Sequence, residues 1–197
     1  MIITDFKVAK KDRNRIHIYI DDIYKGTIYI DYVVEYGLKL GSEITQNKLD
    51  EIVNISNNKK LFNECLRYVG IRQRSEKEIK EYIYKKAQKA KFIINENNID
   101  EIINNLKKYN YINDEAFASL WVTTRINKGV GPQKLKMELI QKGVEKVIIE
   151  QIISTIDEET KTKEIQKITQ KYLKTRSFTN EYEKKWKLKQ YLMSKGF

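Results

Sequence analysis

The side chains able to do acid–base or nucleophilic chemistry are few and badly spaced for it. The 197-residue chain holds one histidine, His17, and one cysteine, Cys65. His17 stands in the alternating run Arg15-Ile16-His17-Ile18-Tyr19-Ile20, with no serine or cysteine nucleophile spaced near it, and reads as a structural or surface residue. Cys65 falls in an apolar spacing with Leu61, Leu66 and Val69, the pattern of a buried core thiol. A single cysteine also excludes an internal disulfide. Carboxylate pairs occur at Asp21-Asp22, Asp114-Glu115 and Glu158-Glu159, where turns and helix starts account for them. There is no Gly-Lys-Ser/Thr phosphate loop, no dinucleotide glycine fingerprint and no spaced Cys/His set. An enzyme is therefore not expected, and no cofactor or metal is implied.

Cations are what the chain has in abundance. Net charge is +11, a balance that points to nucleic acid or an acidic surface as a partner. The excess is uneven: residues 1–50 are neutral, 51–110 carry +5, 111–157 are neutral and 158–197 carry +6. Residues 67–91 hold nine basic side chains, Arg72, Arg74 and Lys80 among them, against Glu76, Glu78 and Glu81. The stretch from Arg125 to Lys142 contains Arg125, Lys128, Lys134, Lys136 and Lys142 against one acid, Glu138. Near the end, Lys184-Lys185-Trp186-Lys187-Leu188-Lys189 sets an aromatic among lysines, a pattern that suits either base stacking or a core tryptophan. Each stretch reads as a solvated face or as a surface for phosphates and acidic side chains.

The elements that must carry these residues change character along the chain. Residues 15–20 and 25–30 alternate polar and apolar and predict strands, with a third over residues 2–8, together a small antiparallel meander. A short helix is predicted over Asp31–Tyr36, stopped by Gly37, and another over about Thr45–Ser56. From about residue 57 the apolar spacing is helical throughout, as in Ile99, Ile102, Ile103 and Leu106. One proline and eight glycines suit long helices. Met1 opens directly into a strand-like run and no apolar stretch approaches a membrane span, so a reducing cytoplasm is the expected compartment.

The helices carry a repeat. Leu135, Leu139, Lys142 and Gly143 reappear 53 residues on as Leu188, Leu192, Lys195 and Gly196, and 56 residues back as Ile79, Ile83, Lys86 and Ala87. The expected organisation is mainly α: an N-terminal β-meander plus helices over 1–56, three-helix repeats over 57–110 and 111–157, and an incomplete helical repeat over 158–197. Neighbouring repeats would bury one another in a curved array, which favours a monomer. Within the repeats, Ser75-Glu76-Lys77-Glu78 reads as a capping box. In Tyr111-Ile112-Asn113-Asp114-Glu115-Ala116-Phe117, Asn113 or Asp114 suits a helix cap and Phe117 opens the buried face. In Gly129-Val130-Gly131-Pro132 both glycines are expected to take conformations closed to other residues, with Pro132 at a helix start.

Three blocks in this order, Tyr-Ile-Asn-Asp-Glu-x-Phe-Ala at 111–118, Arg-Ile-x-Lys-Gly-x-Gly-Pro at 125–132 and Leu-x-x-Glu-Leu-x-x-Lys-Gly at 135–143, resemble the central repeat of the RecX family. The run Tyr-Gly-Leu-Lys-Leu-Gly-Ser-Glu-Ile at 36–44 resembles an extension found in members from low-GC bacteria. The resemblance implies a regulator that lies in the groove of RecA–DNA filaments, inhibits recombinase, ATPase and coprotease activities and promotes disassembly. The lysine excess itself predicts weak, salt-dependent binding to single- and double-stranded DNA with little sequence preference, and a general DNA-binding protein acting without RecA is the alternative. The candidate contact residues are Arg72, Arg74, Lys80, Arg125, Lys128, Lys134, Lys136, Lys142, Lys185, Lys187 and Lys189. Tyr111, Asn113, Asp114, Phe117, Gly129, Gly131, Pro132, Leu135, Leu139 and Gly143 carry the motif structurally. Arg125, Lys128, Lys134 and Lys136 are expected to share one surface and to accept glutamate without loss of the fold.

Overall fold

The computed structural model describes residues 1–197. Strands β1 (Ile3–Val8), β2 (Arg15–Ile20) and β3 (Ile23–Tyr29) form an antiparallel sheet in the order β1-β2-β3. Nine helices follow: α1 (Ile30–Glu35), α2 (Gln46–Ile71), α3 (Glu76–Ala90), α4 (Glu96–Lys108), α5 (Asp114–Ile126), α6 (Pro132–Gln141), α7 (Lys146–Ser154), α8 (Glu158–Lys174) and α9 (Glu181–Lys195). After β3 the only β pairing is one bridge, Ile2 with Glu43. The protein is thus mainly helical with a small N-terminal sheet, as the periodicity predicts. Two compact units are present: residues 1–68 with 82–104, and residues 69–81 with 105–197.

In the first unit, alternation puts Ile16, Ile18 and Ile20 of β2 on one face. They pack with Ile3, Ile28, Leu49 and Ile52 into a core. Helix α2 lies close on the sheet, since a Cβ on Gly26 would stand 2.8 Å from Val53 Cγ2. The helix expected over residues 45–56 continues to Ile71. No glycine or proline interrupts residues 46–69, and Leu61 and Cys65 extend the buried stripe of Leu49, Ile52 and Ser56.

The second unit is built around α5, α6 and α7. Phe117, Val122 and Ile126 of α5 pack with Leu135 and Leu139 of α6 and Ile149 of α7. In the α8–α9 hairpin Tyr172 stacks on Tyr191, ring centroids 4.3 Å apart.

Six helices end in one way. Gly37, Lys91, Asn110, Gly129, Gly143 and Gly196 all have positive φ, and the next residue donates its N–H five residues back. These bonds run from Leu38 to Val33, Phe92 to Ala87, Tyr111 to Leu106, Val130 to Arg125, Val144 to Leu139 and Phe197 to Leu192, at 2.8–3.2 Å. This is the Schellman stop, and the residue after each left-handed position is apolar, as the stop prefers. The repeat's Lys-Gly signature is therefore a helix terminator. Its absence at Lys86-Ala87 has a direct cause: α3 runs one turn further, Ala87 is buried inside it, and the reversal falls on Lys91.

Candidate interaction surface

The start of α5 is fixed by Asn113, whose side chain accepts from Ala116 N at 2.9 Å. Asp114, the other candidate cap, instead accepts from Glu76 N at 2.8 Å and so caps α3. Burial raises the Asp114 pKa, the Glu76 N–H opposes this, and the Glu76 carboxylate adds to the rise. The capping box at Ser75 is half made: Ser75 Oγ accepts from Glu78 N at 3.3 Å, while the Glu78 carboxylate turns to Arg72 and Lys142. A carboxylate offered two cations outbids a return bond to one N–H.

Glu138 on α6 is the second hub. It accepts from Trp121 Nε1 at 2.9 Å and from Arg125 Nε at 3.0 Å, with Arg125 Nη2 completing a fork. Arg125 and Lys142 also lie over the Trp121 ring, 5.8 and 5.2 Å from its centroid. Burial pushes the Glu78 and Glu138 carboxyls up. Hydrogen bonds from Arg72 and Lys142, and from Arg125 and Trp121, more than offset it and hold both below the ordinary value. The bond to Glu138 raises the Arg125 pKa in turn.

Beside this network a groove of about 300 Å³ opens between Arg72-Gln73 and α5. Phe117, Leu120 and Trp121 supply its apolar wall, and Arg72, Arg125 and Lys128 its basic rim. Leu120 is 52% exposed on that wall. Lys128 is exposed and makes no ion pair. Such a groove suits a segment that brings an apolar side chain together with a carboxylate or phosphate.

The predicted cations do not all gather here. Arg72, Arg125, Lys128 and Lys142 meet around Trp121 and the groove. Lys134 reaches the carbonyl of Ser194 at 3.4 Å, and Lys136 pairs with Glu150 at 3.4 Å. At about 100° per residue these two flank Leu135 on opposite sides of α6. Lys80 pairs with Glu76 and Lys187 with Glu183, Arg74 is half-buried ahead of α3, and Lys185 and Lys189 are exposed on α9. Trp186, for which core and stacking were both open, is 54% exposed. Gly129 has φ +74°, as expected, and Pro132 opens α6. Gly131 has φ −77°, so its freedom of φ is not what is used; an added Cβ would lie 2.4 Å from Gly196 C.

Residues 113–153, nearly the whole of α5 to α7, match the family domain "RecX, second three-helix domain", and residues 1–45 match "Regulatory protein RecX N-terminal domain". Proteins named "Regulatory protein RecX" from Bacillus pumilus (strain SAFR-032) and Bacillus subtilis (strain 168) are each 33% identical over 196 residues, 99% of this chain and 72% of theirs. The chain belongs to the RecX family. Among solved structures of RecX proteins, the one from Lactobacillus salivarius is similar with a TM-score of 0.63 and 28% identity, over 72% of this chain and 88% of that one. A second, titled "Crystal structure of regulatory protein RecX", shares the fold over all of this chain and 94% of its own, with a TM-score of 0.70 and 24% identity.

In the sequence of this RecX-family chain, Glu78 and Glu138 stand as minority acids in basic stretches, and nothing local marks Trp121 as their neighbour. The spacing Trp121, Arg125 is i, i+4 on one helix face, which signals an amphipathic pair. Their shared partner Glu138 lies across a turn and emerges only when α5 and α6 are folded together.

Proposed function

We propose that the chain regulates the RecA recombinase by binding RecA–DNA filaments, inhibiting their ATPase, recombinase and coprotease activities and promoting their disassembly. Membership of a family named for regulation supports this reading. The structural observation that carries it is the groove beside Trp121, apolar on its wall and basic on its rim, whose wall comes from the matched three-helix domain and whose far side comes from Arg72-Gln73. A site that combines the exposed Leu120 with Lys128 fits an acidic protein surface that carries an apolar anchor, for which both parts of the groove are used. On this reading DNA is held weakly and without sequence preference, the protein acts as a monomer in the cytoplasm, and the three-helix repeats over 57–110, 111–157 and 158–197 stack as its scaffold. RecA-dependent ATP hydrolysis on single-stranded DNA tests it. Inhibition at protein levels far below those that coat the DNA is expected. Inhibition only at coating levels favours a DNA-binding protein acting without RecA, and no inhibition rejects both.

A further inference from the structure

The first unit holds a second groove, of about 970 Å³, between the β1–β2 turn, β2 and α2. Six cationic side chains and two carboxylates line it. Residues 1–50 are neutral in sum, so nothing in the linear charge marks this place. At its base is Arg15, 4% exposed. Its guanidinium makes no ion pair. All its hydrogen bonds run through Nη2, to Thr27 O at 2.6 Å and to Ser56 Oγ and Asn57 Oδ1 at 3.4 Å, and Nε is buried without a partner. A buried arginine is costly unless an anion satisfies it, and buried arginines are ordinarily paired.

The nearby carboxylates do not fill that role. Glu64 and Asp12 favour the Arg15 charge from a distance, but neither forms an ion pair with it: Glu64 lies 3.0 Å from Lys86 Nζ, and Asp12 accepts from Asn14 N in the turn. Burial pushes the Arg15 pKa down, and burial followed by the charge of Arg15 does the same to Lys60. Lys10, Lys11 and Arg67 are exposed around the mouth and make no ion pair. Lys60 and Arg67 are seven residues apart on α2, two turns and about 10 Å along one face. The cations therefore form a track and not a point. On the wall, Lys7 Nζ lies over the Tyr19 ring, 4.6 Å from its centroid, and His17 is hydrogen-bonded to Thr27.

We infer that this groove binds the phosphodiester backbone of a nucleic acid, with Lys10, Lys11, Lys60 and Arg67 as its contacting rim and the buried charge of Arg15 adding to the positive field at its base. A track of this length exceeds a lone phosphate and matches the regular charge spacing along a phosphodiester backbone, which a single peptide carboxylate does not. The site is separate from the groove beside Trp121 and stands whether or not the chain acts on RecA.

The test is fluorescence anisotropy of a labelled 20-nucleotide oligo-dT with the full chain at 50 mM NaCl, without RecA. Lys10→Glu/Lys11→Glu/Arg67→Glu should weaken binding about tenfold or more and lower the salt slope by roughly 2, at about 0.7 for each lost phosphate contact. Lys163→Glu/Lys171→Glu/Lys174→Glu on α8 makes the same change of net charge and should cost less than threefold. Circular dichroism checks folding, and the glutamine triple at 10, 11 and 67 replaces the glutamate one if the latter unfolds. Binding within twofold of wild type, equal losses in the two triples, or poly-glutamate competing as well as oligo-dT at equal charge would each overturn the inference.

Discussion

Gly131 donates its backbone N–H to the carbonyl of Lys195 at 2.7 Å, so the end of α9 is seated on the start of α6. The same relationship occurs one repeat earlier. Ser75 Oγ donates to the carbonyl of Lys142 at 2.7 Å, seating the end of α6 on the start of α3. In both places the last carbonyls of a middle helix meet donors at the start of the preceding one, and so satisfy groups that a helix end leaves open. Lys-Gly at 142–143 and 195–196 recurs because a left-handed stop must release the carbonyl there, and because the seat is narrow. A Cβ on Gly143 would stand 2.7 Å from Lys77 Cβ, and one on Gly196 would stand 2.5 Å from Lys134 N.

Two glycine-to-alanine substitutions should therefore act in opposite directions. Gly131→Ala puts a methyl into the backbone of Gly196 and should cost about 1–3 kcal/mol, the range for overpacking. Amide exchange at Gly131 and Gln133, whose N–H groups bond to Lys195 and Gly196, should quicken with it. Gly70 lies inside α2 with nothing within 4 Å of an added Cβ, and Gly70→Ala should stabilise by about 0.5–1 kcal/mol. Thermal unfolding of both variants checks the contrast.

Acid should act through the carboxylates that their partners hold low. Glu76, Glu78 and Glu138 are each pushed up by burial but held below their ordinary value of 4.5 by basic partners. A carboxyl with a lower pKa folded than unfolded stabilises fully above about pH 4.5 and loses that contribution as pH falls through the lowered value. Asp114, raised by burial, works the other way: its contribution favours the fold at low pH and is lost as pH rises through the raised value. Asp157 and Glu183 are lowered as well, by hydrogen bonds at exposed helix starts, so five lowered groups stand against one raised, and the melting temperature should hold from pH 7 to 5 and drop below 4.5. Glu138→Gln should lower stability by about 1–2 kcal/mol at pH 7, for lost charge-assisted bonds to a partly exposed arginine. It should also flatten the acid limb of the melting curve.

Cys65 should be silent in the native state. It is fully buried, and burial pushes its thiol up to about 12, so thiolate is scarce and inaccessible. Labelling by a thiol-specific disulfide reagent should require opening of the first unit and should speed up with denaturant in step with unfolding. Fast labelling of the native protein would contradict the burial.

Much of the fold was legible because it is written in local patterns. Alternation over 15–20, apolar helical spacing after 57, and Lys-Gly at two equivalent positions each answer to backbone geometry a few residues wide. The length of α2 was missed because Asn57-Asn58-Lys59-Lys60 resembles a break, although Leu61 and Cys65 keep the stripe in phase. Gly131 was recognised for the wrong reason, since crowding by Gly196 cannot be read from the local sequence. The candidate surfaces were least legible. A basic residue declares its charge in the sequence but not its partner, and Arg125, Lys136 and Lys142 turn out to hold Glu138, Glu150 and Glu78. The groove at Arg15 was invisible because its cations come from residues 7–15 and 60–67, which only folding brings together.

That pairing decides how the groove beside Trp121 should be probed. Arg125→Glu sets a carboxylate against Glu138 and removes the fork that satisfies it. Breaking a pair that is mostly buried on the Glu138 side leaves a charge without a partner. Arg125→Glu should therefore lower the melting temperature, so glutamate at positions 125, 128, 134 and 136 together would confuse folding with function. Lys128 and Leu120 are exposed and make no comparable bond, and surface changes of this kind usually shift stability by about 0.5 kcal/mol or less. Leu120→Glu/Lys128→Glu should melt within a few degrees of wild type and raise roughly tenfold the concentration needed for half-inhibition of RecA-dependent ATP hydrolysis. Binding of oligo-dT should change less than threefold, since neither residue lies in the groove at Arg15. A double variant that folds normally and inhibits as well as wild type would remove this groove from the contact with RecA and leave the exposed lysines of α9, Lys185 and Lys189, as the next surface to change.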